Sequence, residues 1–78
     1  MTAAHHLADG VPQRLLYPIR EAMALLSMSR STIYEQIRAG RLRSVRQGAS
    51  RLIPASALSE YVAMLEKEAQ EASNGETA

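Results

Sequence analysis

A short predicted helix carries the residues whose types and spacing could do chemistry. Ser29 is a favoured type of helix N-cap, and Gly40 supplies a C-terminal stop. Between them, Ile33 and Ile37 form an i, i+4 apolar pair that marks the side facing a core. At about 100° per residue, the side opposite this pair carries three polar residues, namely Ser31, Glu35 and Arg38.

That polar face has the hydrogen-bonding groups needed to recognise base edges in the major groove of DNA. Glu35 can accept from a cytosine amino group, and Arg38 can donate two parallel hydrogen bonds to guanine. The alternative is an ion pair between these two side chains, which would still leave a polar surface. DNA binding is the leading hypothesis, and the candidate contacts on this helix are Arg30, Ser31, Thr32, Tyr34, Glu35 and Arg38.

Three of these candidates suit the DNA backbone as well as, or better than, the bases. Arg30 lies near the helix start and suits either a phosphate or a base. The hydroxyls of Thr32 and Tyr34 offer neutral donors to phosphates. Tyr34 has an alternative role, which is to pack at the rim of the core.

A basic segment follows the helix and predicts a β-hairpin. Apolar residues at 42 and 45 lie among arginines, residues 47–50 form a turn-like tip of four residues, and apolar residues resume before Pro54. Such a hairpin is typical of a wing that contacts phosphates or a minor groove, and the alternative is an ordinary hairpin facing solvent. Its four arginines are expected to neutralise phosphates, and the candidate contacts of the wing and its approach are Arg41, Arg43, Arg46, Gln47, Ser50 and Arg51.

The charges of the chain divide into three unequal parts. Residues 1–28 hold two arginines and two acids and are neutral. Residues 29–54 hold six arginines and one acid, a net charge of +5, whereas residues 55–78 hold one lysine and five glutamates, a net charge of −4. One surface is thus expected to attract a polyanion while another repels it. The alternatives are that the arginines only solvate the surface, and that the acidic end serves either solubility or protein docking.

The composition argues against most other classes of function. The 78 residues contain no cysteine, so neither a disulfide nor a thiolate metal site is expected, and no cofactor is implied. His5 and His6 lack neighbouring carboxylates and suit a tail better than a metal site. Nothing assembles an acid, a base and a pocket, so no enzyme and no small-molecule substrate is expected. Without an apolar run of membrane length, we expect a soluble cytoplasmic protein that does not contact membranes.

The apolar pattern predicts a mostly α-helical fold with one small β-hairpin. A first helix over 19–26 is separated by about three residues from the helix after Ser29, which is the spacing of a helix-turn-helix. Residues 15–17 predict a short strand or an extended lead-in. A last helix after Pro54 carries an apolar stripe of Leu58, Tyr61, Val62 and Leu65 and extends beyond the core. We therefore expect a flexible tail over 1–13, a DNA-binding domain over 14–72 and a disordered tail over 73–78.

The segment from Leu16 to Tyr61 resembles the excisionase-type DNA-binding family, a minimal winged-helix group allied to the MerR regulators. The resemblance rests on an ordered series of short matches, namely Leu16-Tyr17, Glu21-Ala22, Ser27-Met28, Ser29-Arg30-Ser31-Thr32, Ile33-Tyr34, Gly40 and Ile53-Pro54. The chain departs from the family at Ser27, where glycine is frequent, and at Pro18, where threonine or serine is frequent. The centre of its wing is also smaller and less basic.

The resemblance implies a winged helix-turn-helix protein of a phage or mobile element, acting on DNA in a bacterial cell. It further implies cooperative binding to tandem sites on double-stranded DNA, bending of that DNA, and an integrase partner that is directed towards excision. Without the heptads of a long coiled coil after Leu65, we expect a monomer that self-associates head-to-tail on DNA. Two alternatives stay open: a small winged-helix transcriptional regulator, and an adaptor that docks on an integrase and binds DNA weakly.

Overall fold

The computed structural model describes residues 14–77, with side chains up to residue 73. The expected tail over 1–13, with His5 and His6, lies outside the described residues. The elements in chain order are β1 (Leu16–Pro18), α1 (Ile19–Leu26), α2 (Arg30–Arg38), β2 (Val45–Gln47), β3 (Ser50–Pro54) and α3 (Ala55–Thr77). Three helices and a small antiparallel sheet form a mostly helical winged helix-turn-helix, which confirms the predicted fold class.

The tight break between α1 and α2 is made by two helix caps. Ser29 has extended backbone angles, and its Oγ accepts a hydrogen bond of 3.2 Å from the backbone N–H of Thr32, as an N-cap does. Ser27, just after α1, lies in the left-handed region with φ of 56°, and the next N–H, that of Met28, donates to the carbonyl of Met23. The predicted boundaries of the first helix and the N-cap of the second are confirmed.

Replacing Ser27 by glycine is expected to raise the free energy of unfolding by about 0.5–1 kcal/mol, because only glycine adopts a positive φ without a steric penalty. Chemical denaturation of the two proteins measures the change. Ser59→Gly is the matched control, since Ser59 lies inside α3 and glycine there is expected to lower stability by roughly 0.5 kcal/mol. A loss of stability in both variants would contradict the assignment of strain to Ser27.

A second left-handed residue ends α2. Gly40 has φ of 79°, its N–H donates to the carbonyl of Ile37, and the N–H of Arg41 donates to the carbonyl of Gln36. This is the hydrogen-bond pattern of a Schellman motif. The Arg41 side chain strengthens the stop, because its Nε donates a 2.7 Å hydrogen bond to Oε1 of Gln36. The chain therefore leaves α2 in a fixed direction, and Leu42 enters the core.

The sheet has three antiparallel strands in the order β1-β3-β2. The lead-in is a true strand, because Tyr17 pairs with Ile53 of β3. The predicted tip of four residues is wrong: Gln47 and Ser50 pair with each other, so the turn has two residues. Gly48 occupies its first position with φ of 61°, a conformation that suits glycine and allows a shorter turn. The hairpin therefore keeps its ladder up to the tip.

The core is small and draws its buried residues from the three helices, from β3 and from the segment after α2. Its largest fully buried side chains are Ile33 of α2, Leu42 after it and Ile53 of β3. The other buried residues are Ile19, Ala22, Ala57 and Tyr61. The predicted stripe of α3 is partly wrong, because Val62 and Leu65 are exposed. A different stripe of α3 faces the core. Ala57 on this stripe is buried, and Met64 on the same stripe is half-buried.

The last helix is longer than the core beneath it. It runs to Thr77, so its backbone is helical through part of the segment for which the sequence predicts a disordered tail. Beyond Met64, the described side chains of residues 65–73 are exposed, as expected for a helix that extends past the domain. Within the described residues, none of the helices is both long and apolar enough to cross a membrane.

Candidate nucleic-acid interface

The outer face of α2 presents polar groups over a buried apolar residue. Ser31, Glu35 and Arg38 are exposed, whereas Ile33 on the other side is fully buried. The alternative pairing of Glu35 with Arg38 is not formed: the ion pairs between described residues are Arg14–Glu21, Arg41–Glu68 and Arg43–Glu60. Both charged groups on this face are consequently available to a ligand.

The first turn of α2 gathers three hydroxyl groups. Ser29 Oγ donates a 2.9 Å hydrogen bond to Oγ1 of Thr32 and lies 3.3 Å from Oγ of Ser31. The proton of the Thr32 hydroxyl therefore remains available to an acceptor. Tyr34 is half-buried and packs against the core, which places its ring at the rim of the core as the alternative interpretation proposed.

The hairpin places two arginines directly opposite each other. Arg46 of β2 pairs in register with Arg51 of β3, and like charges in this position repel each other across strands. Because side chains alternate along a strand, Arg51 lies on the same face of β3 as the buried Ile53. Arg51 donates a 2.8 Å hydrogen bond to Oγ of Ser44, and neither arginine has a carboxylate partner among the described residues. The wing therefore concentrates positive charge on its helix-facing side.

The remaining two arginines, which approach the wing, form ion pairs with the acidic helix α3. Arg41 forms two hydrogen bonds of 2.9 and 3.0 Å with the carboxylate of Glu68. Arg43 donates a 2.9 Å hydrogen bond to Glu60 and a 3.2 Å hydrogen bond to Ser56. These bonds connect the segment after α2 to α3. Two arginines of the basic middle segment are therefore paired with glutamates of the acidic C-terminal segment.

These hydrogen bonds shift the titration of the two glutamates. The bond from Arg41 lowers the pKa of the Glu68 carboxyl, and the bond from Arg43 lowers the pKa of the Glu60 carboxyl. Since folding lowers both pKa values, the stabilisation that the pairs provide is fully present above the ordinary glutamate pKa. It is lost as the pH falls through the lowered values. At neutral pH both pairs are therefore formed.

One surface depression brings together residues from four elements, β1, α1, α2 and β3. Its lining includes Arg30 at the start of α2, Ser50 and Arg51 of β3, and Arg20 in the first turn of α1. We call this the basic depression, after its arginines Arg20, Arg30 and Arg51. Arg20 is absent from the contacts predicted from the sequence, because its closeness to the wing depends on the pairing of β1 with β3. No local pattern in the sequence could have identified it.

Of the other candidates, Gln47 and Ser50 are exposed at the end of the hairpin, beside the turn. The predicted contacts thus fall into three groups. One group lies on the outer face of α2, a second lies on the hairpin and around the basic depression, and a third, Arg41 and Arg43, is paired with α3. The first two groups combine a polar helix face with a dense positive charge beside it, which suits a duplex groove and its flanking phosphates.

Comparisons with known proteins agree with this geometry. A probable excisionase from Saccharopolyspora erythraea is 36% identical over 58 residues, which make up 74% of this chain and 59% of that protein. The chain therefore spans less than two thirds of the length of that relative. No solved structure matches the chain. A family described as "Helix-turn-helix domain" matches residues 16–65, from β1 into α3. Because this match covers more than half of the chain, the protein belongs to the helix-turn-helix domain family, whose members bind DNA.

Proposed function

We propose that the protein is a sequence-specific DNA-binding protein of the excisionase type, in the winged-helix group allied to the MerR regulators. In this proposal α2 lies in the major groove and the hairpin contacts the backbone beside it. The observation that carries the proposal is the outer face of α2, where Glu35 and Arg38 are exposed and not paired with each other. Unpaired donors and acceptors on a helix above a buried core are the groups that base recognition requires.

Phosphate binding is assigned to the arginines around that helix. Arg46 and Arg51 face each other across the hairpin, so an anion between them would relieve their repulsion. Arg30 lies beside them in the basic depression. The hydroxyl of Thr32 adds a neutral donor at the start of α2.

The first test is a titration of the protein into a duplex at several salt concentrations. With about four phosphates neutralised, the logarithm of the association constant is expected to fall with the logarithm of salt concentration at a slope of roughly −3.6. Fluorescence anisotropy of a labelled mixed-sequence duplex between about 50 and 200 mM salt measures this slope. Absence of binding, or binding that salt does not weaken, would refute the proposed function.

The paired arginines Arg41 and Arg43 remain predicted phosphate contacts, and their carboxylate partners compete with the DNA. Replacing both Glu60 and Glu68 by glutamine is expected to raise DNA affinity by roughly three- to tenfold, because the two arginines then no longer exchange an exposed carboxylate for a phosphate when DNA binds. The measurement is the same anisotropy titration. It is made at low salt, where exposed charges are least screened.

The control for this prediction replaces Glu66 and Glu71 by glutamine. These two glutamates are exposed on α3 and form no ion pair among the described residues, so the net charge changes equally without releasing an arginine. A gain limited to the Glu60/Glu68 variant identifies Arg41 and Arg43 as phosphate contacts. Equal gains in both variants would mean that the two arginines only fasten α3 to the domain.

We propose two protein partners for the DNA-bound form. Head-to-tail association of copies on tandem sites would make binding cooperative and bend the DNA between them. An integrase would dock on the acidic outer surface of α3, where Glu66 and Glu71 offer negative charge to a basic partner. The name of the probable excisionase relative supports this partner.

A recombination assay with a cognate integrase tests the second partner. The wild-type protein is expected to shift the reaction towards excision, and the Glu66/Glu71 variant is expected to bind DNA normally while directing excision less well. If the protein binds DNA and leaves the direction of recombination unchanged, the excisionase role is refuted. A role as a small transcriptional regulator on the same DNA-binding surface would then be favoured.

A further inference from the structure

The basic depression contains an arginine, Arg20, that is not among the predicted DNA contacts. Three arginines, one each from α1, α2 and β3, are among the residues that line one concavity of about 230 Å³. None of Arg20, Arg30 and Arg51 forms an ion pair with a carboxylate among the described residues. Like charges carried by residues around one concavity repel each other unless an anion or solvent screens them. The arrangement therefore has the charge of an anion site.

The backbone around the depression adds to that positive charge. Ile19 begins α1 beside it, and the preceding Pro18 provides no side-chain cap for the N–H groups of that helix. Arg30 is the first residue of α2, so the positive end of a second helix also lies there. The nearby acid Glu21 is already paired with Arg14. Its charge is thus largely neutralised before any ligand binds.

The position of the depression indicates which anion it takes. It lies between the start of α2, whose outer face carries the predicted base contacts, and the hairpin, whose opposed arginines face the same side. A duplex whose major groove accepts α2 has a phosphate backbone flanking that helix. A single phosphodiester is an anion of matching charge, and arginine binds phosphates with two parallel hydrogen bonds.

We propose that the basic depression holds one phosphate of the DNA backbone, and that Arg20 is a phosphate-binding residue of the interface together with Arg30 and Arg51. This assignment rests on the proposed function and adds α1 to the two elements that contact DNA. The bound phosphate fixes the position of α2 along the groove, because residues from all three elements hold it. It carries no sequence information itself.

The test compares Arg20→Gln with Lys67→Gln, which removes the same charge from the exposed surface of α3. The probe is a labelled mixed-sequence duplex, titrated between about 50 and 200 mM salt. Arg20→Gln is expected to weaken binding roughly three- to tenfold. It is expected to reduce the magnitude of the salt slope by less than the roughly 0.9 of a whole phosphate contact, because Arg30 and Arg51 still hold that phosphate, whereas Lys67→Gln leaves the slope unchanged. Thermal unfolding confirms that both variants are folded, which is expected because both side chains are exposed.

A second arm locates the phosphate. Methylphosphonate linkages, which remove the charge of one phosphate at a time, are placed along the duplex. At one position the effect of Arg20→Gln is expected to vanish, because the charge that Arg20 contacts is already gone. If no position removes the effect, or if the two variants behave alike while the wild type binds DNA, the assignment of Arg20 is overturned. Failure of the wild type to bind would instead overturn the proposed function.

The third arm separates a backbone phosphate from a small free anion. Inorganic phosphate alone is titrated into the protein, and the arginine side-chain N–H resonances are followed by NMR. Weak binding with no saturation at millimolar concentration, together with the duplex result for Arg20→Gln, supports the backbone assignment. Saturable binding of inorganic phosphate with an unchanged salt slope for DNA would show a small-anion site and overturn it.

Discussion

Replacing Ile33 by alanine is expected to destabilise the domain by about 2–5 kcal/mol, the largest effect of any substitution considered for this chain. Ile33 is fully buried and lies on α2 directly beneath the predicted recognition face. Truncation removes apolar contacts and leaves a cavity that a small core fills only in part. A domain of this size has a free energy of unfolding of only several kcal/mol, at about 0.05–0.15 kcal/mol per residue. The variant is therefore expected to be largely unfolded near physiological temperature.

Urea denaturation followed by circular dichroism measures this loss. Val62→Ala serves as the control, since Val62 lies on α3 with 40% of its surface exposed and is expected to cost less than 1 kcal/mol. DNA affinity is expected to fall with the folded fraction of the Ile33 variant, because α2 presents its polar face only while its apolar side is packed. If the variant unfolds at the same urea concentration as the wild type, the core would have been assigned incorrectly.

The helices of this domain could be predicted because their signals are local. Ser29 caps α2 through the N–H of a residue three positions on, and Gly40 ends it through carbonyls within the same helix. Both interactions join residues close in sequence, so residue type and spacing were enough. The same holds for the outer face of α2, because the helical period alone separates Glu35 and Arg38 from Ile33.

The features that the sequence did not predict depend on contacts between distant segments. Arg41 and Glu68 are 27 positions apart, and Arg43 and Glu60 are 17 apart. The distribution of charge along the sequence therefore identified a basic and an acidic segment but not which residues pair. Arg20 joins the basic depression only because β1 and β3 form a ladder beside it. In each case the partner is set by tertiary packing, for which a period or a cap gives no signal.

The face of α3 that packs inwards shows a third limit. The sequence favoured Val62, a large apolar residue, whereas the helix buries the small Ala57 in its place. When a helix has apolar residues on two adjoining stripes, the stripe that lets the helix approach its partner surface most closely is buried. Which stripe this is depends on the shape of that partner surface, which the sequence of the helix does not contain. The exposed Val62 and Leu25 instead border a surface groove between α1 and α3.

Replacing Arg38 or Glu35 by alanine is expected to reduce the discrimination between cognate and scrambled DNA by about 1–3 kcal/mol, or about 5- to 150-fold in the affinity ratio. Both side chains are exposed on α2 and have no ion-pair partner among the described residues, so neither supports the fold through a salt bridge. Loss of a base contact weakens the cognate complex and leaves the scrambled complex nearly unchanged. The cognate duplex is obtained by selection from a random library, and the readout is the ratio of the two dissociation constants.

Arg46→Ala is the control for the ratio of the two dissociation constants, because it is expected to remove a phosphate contact and not a base contact. Arg46 lies on the hairpin opposite Arg51 and is assigned to phosphate binding, so its loss is expected to weaken both duplexes by a similar factor and to lower the salt slope. A variant that has lost a base contact lowers the discrimination between the two duplexes. A variant that has lost a phosphate contact lowers both affinities by a similar factor, so the two effects distinguish base recognition from positioning. If Arg38→Ala and Glu35→Ala both retain the wild-type ratio, the outer face of α2 does not select the sequence, and recognition must be sought on the hairpin.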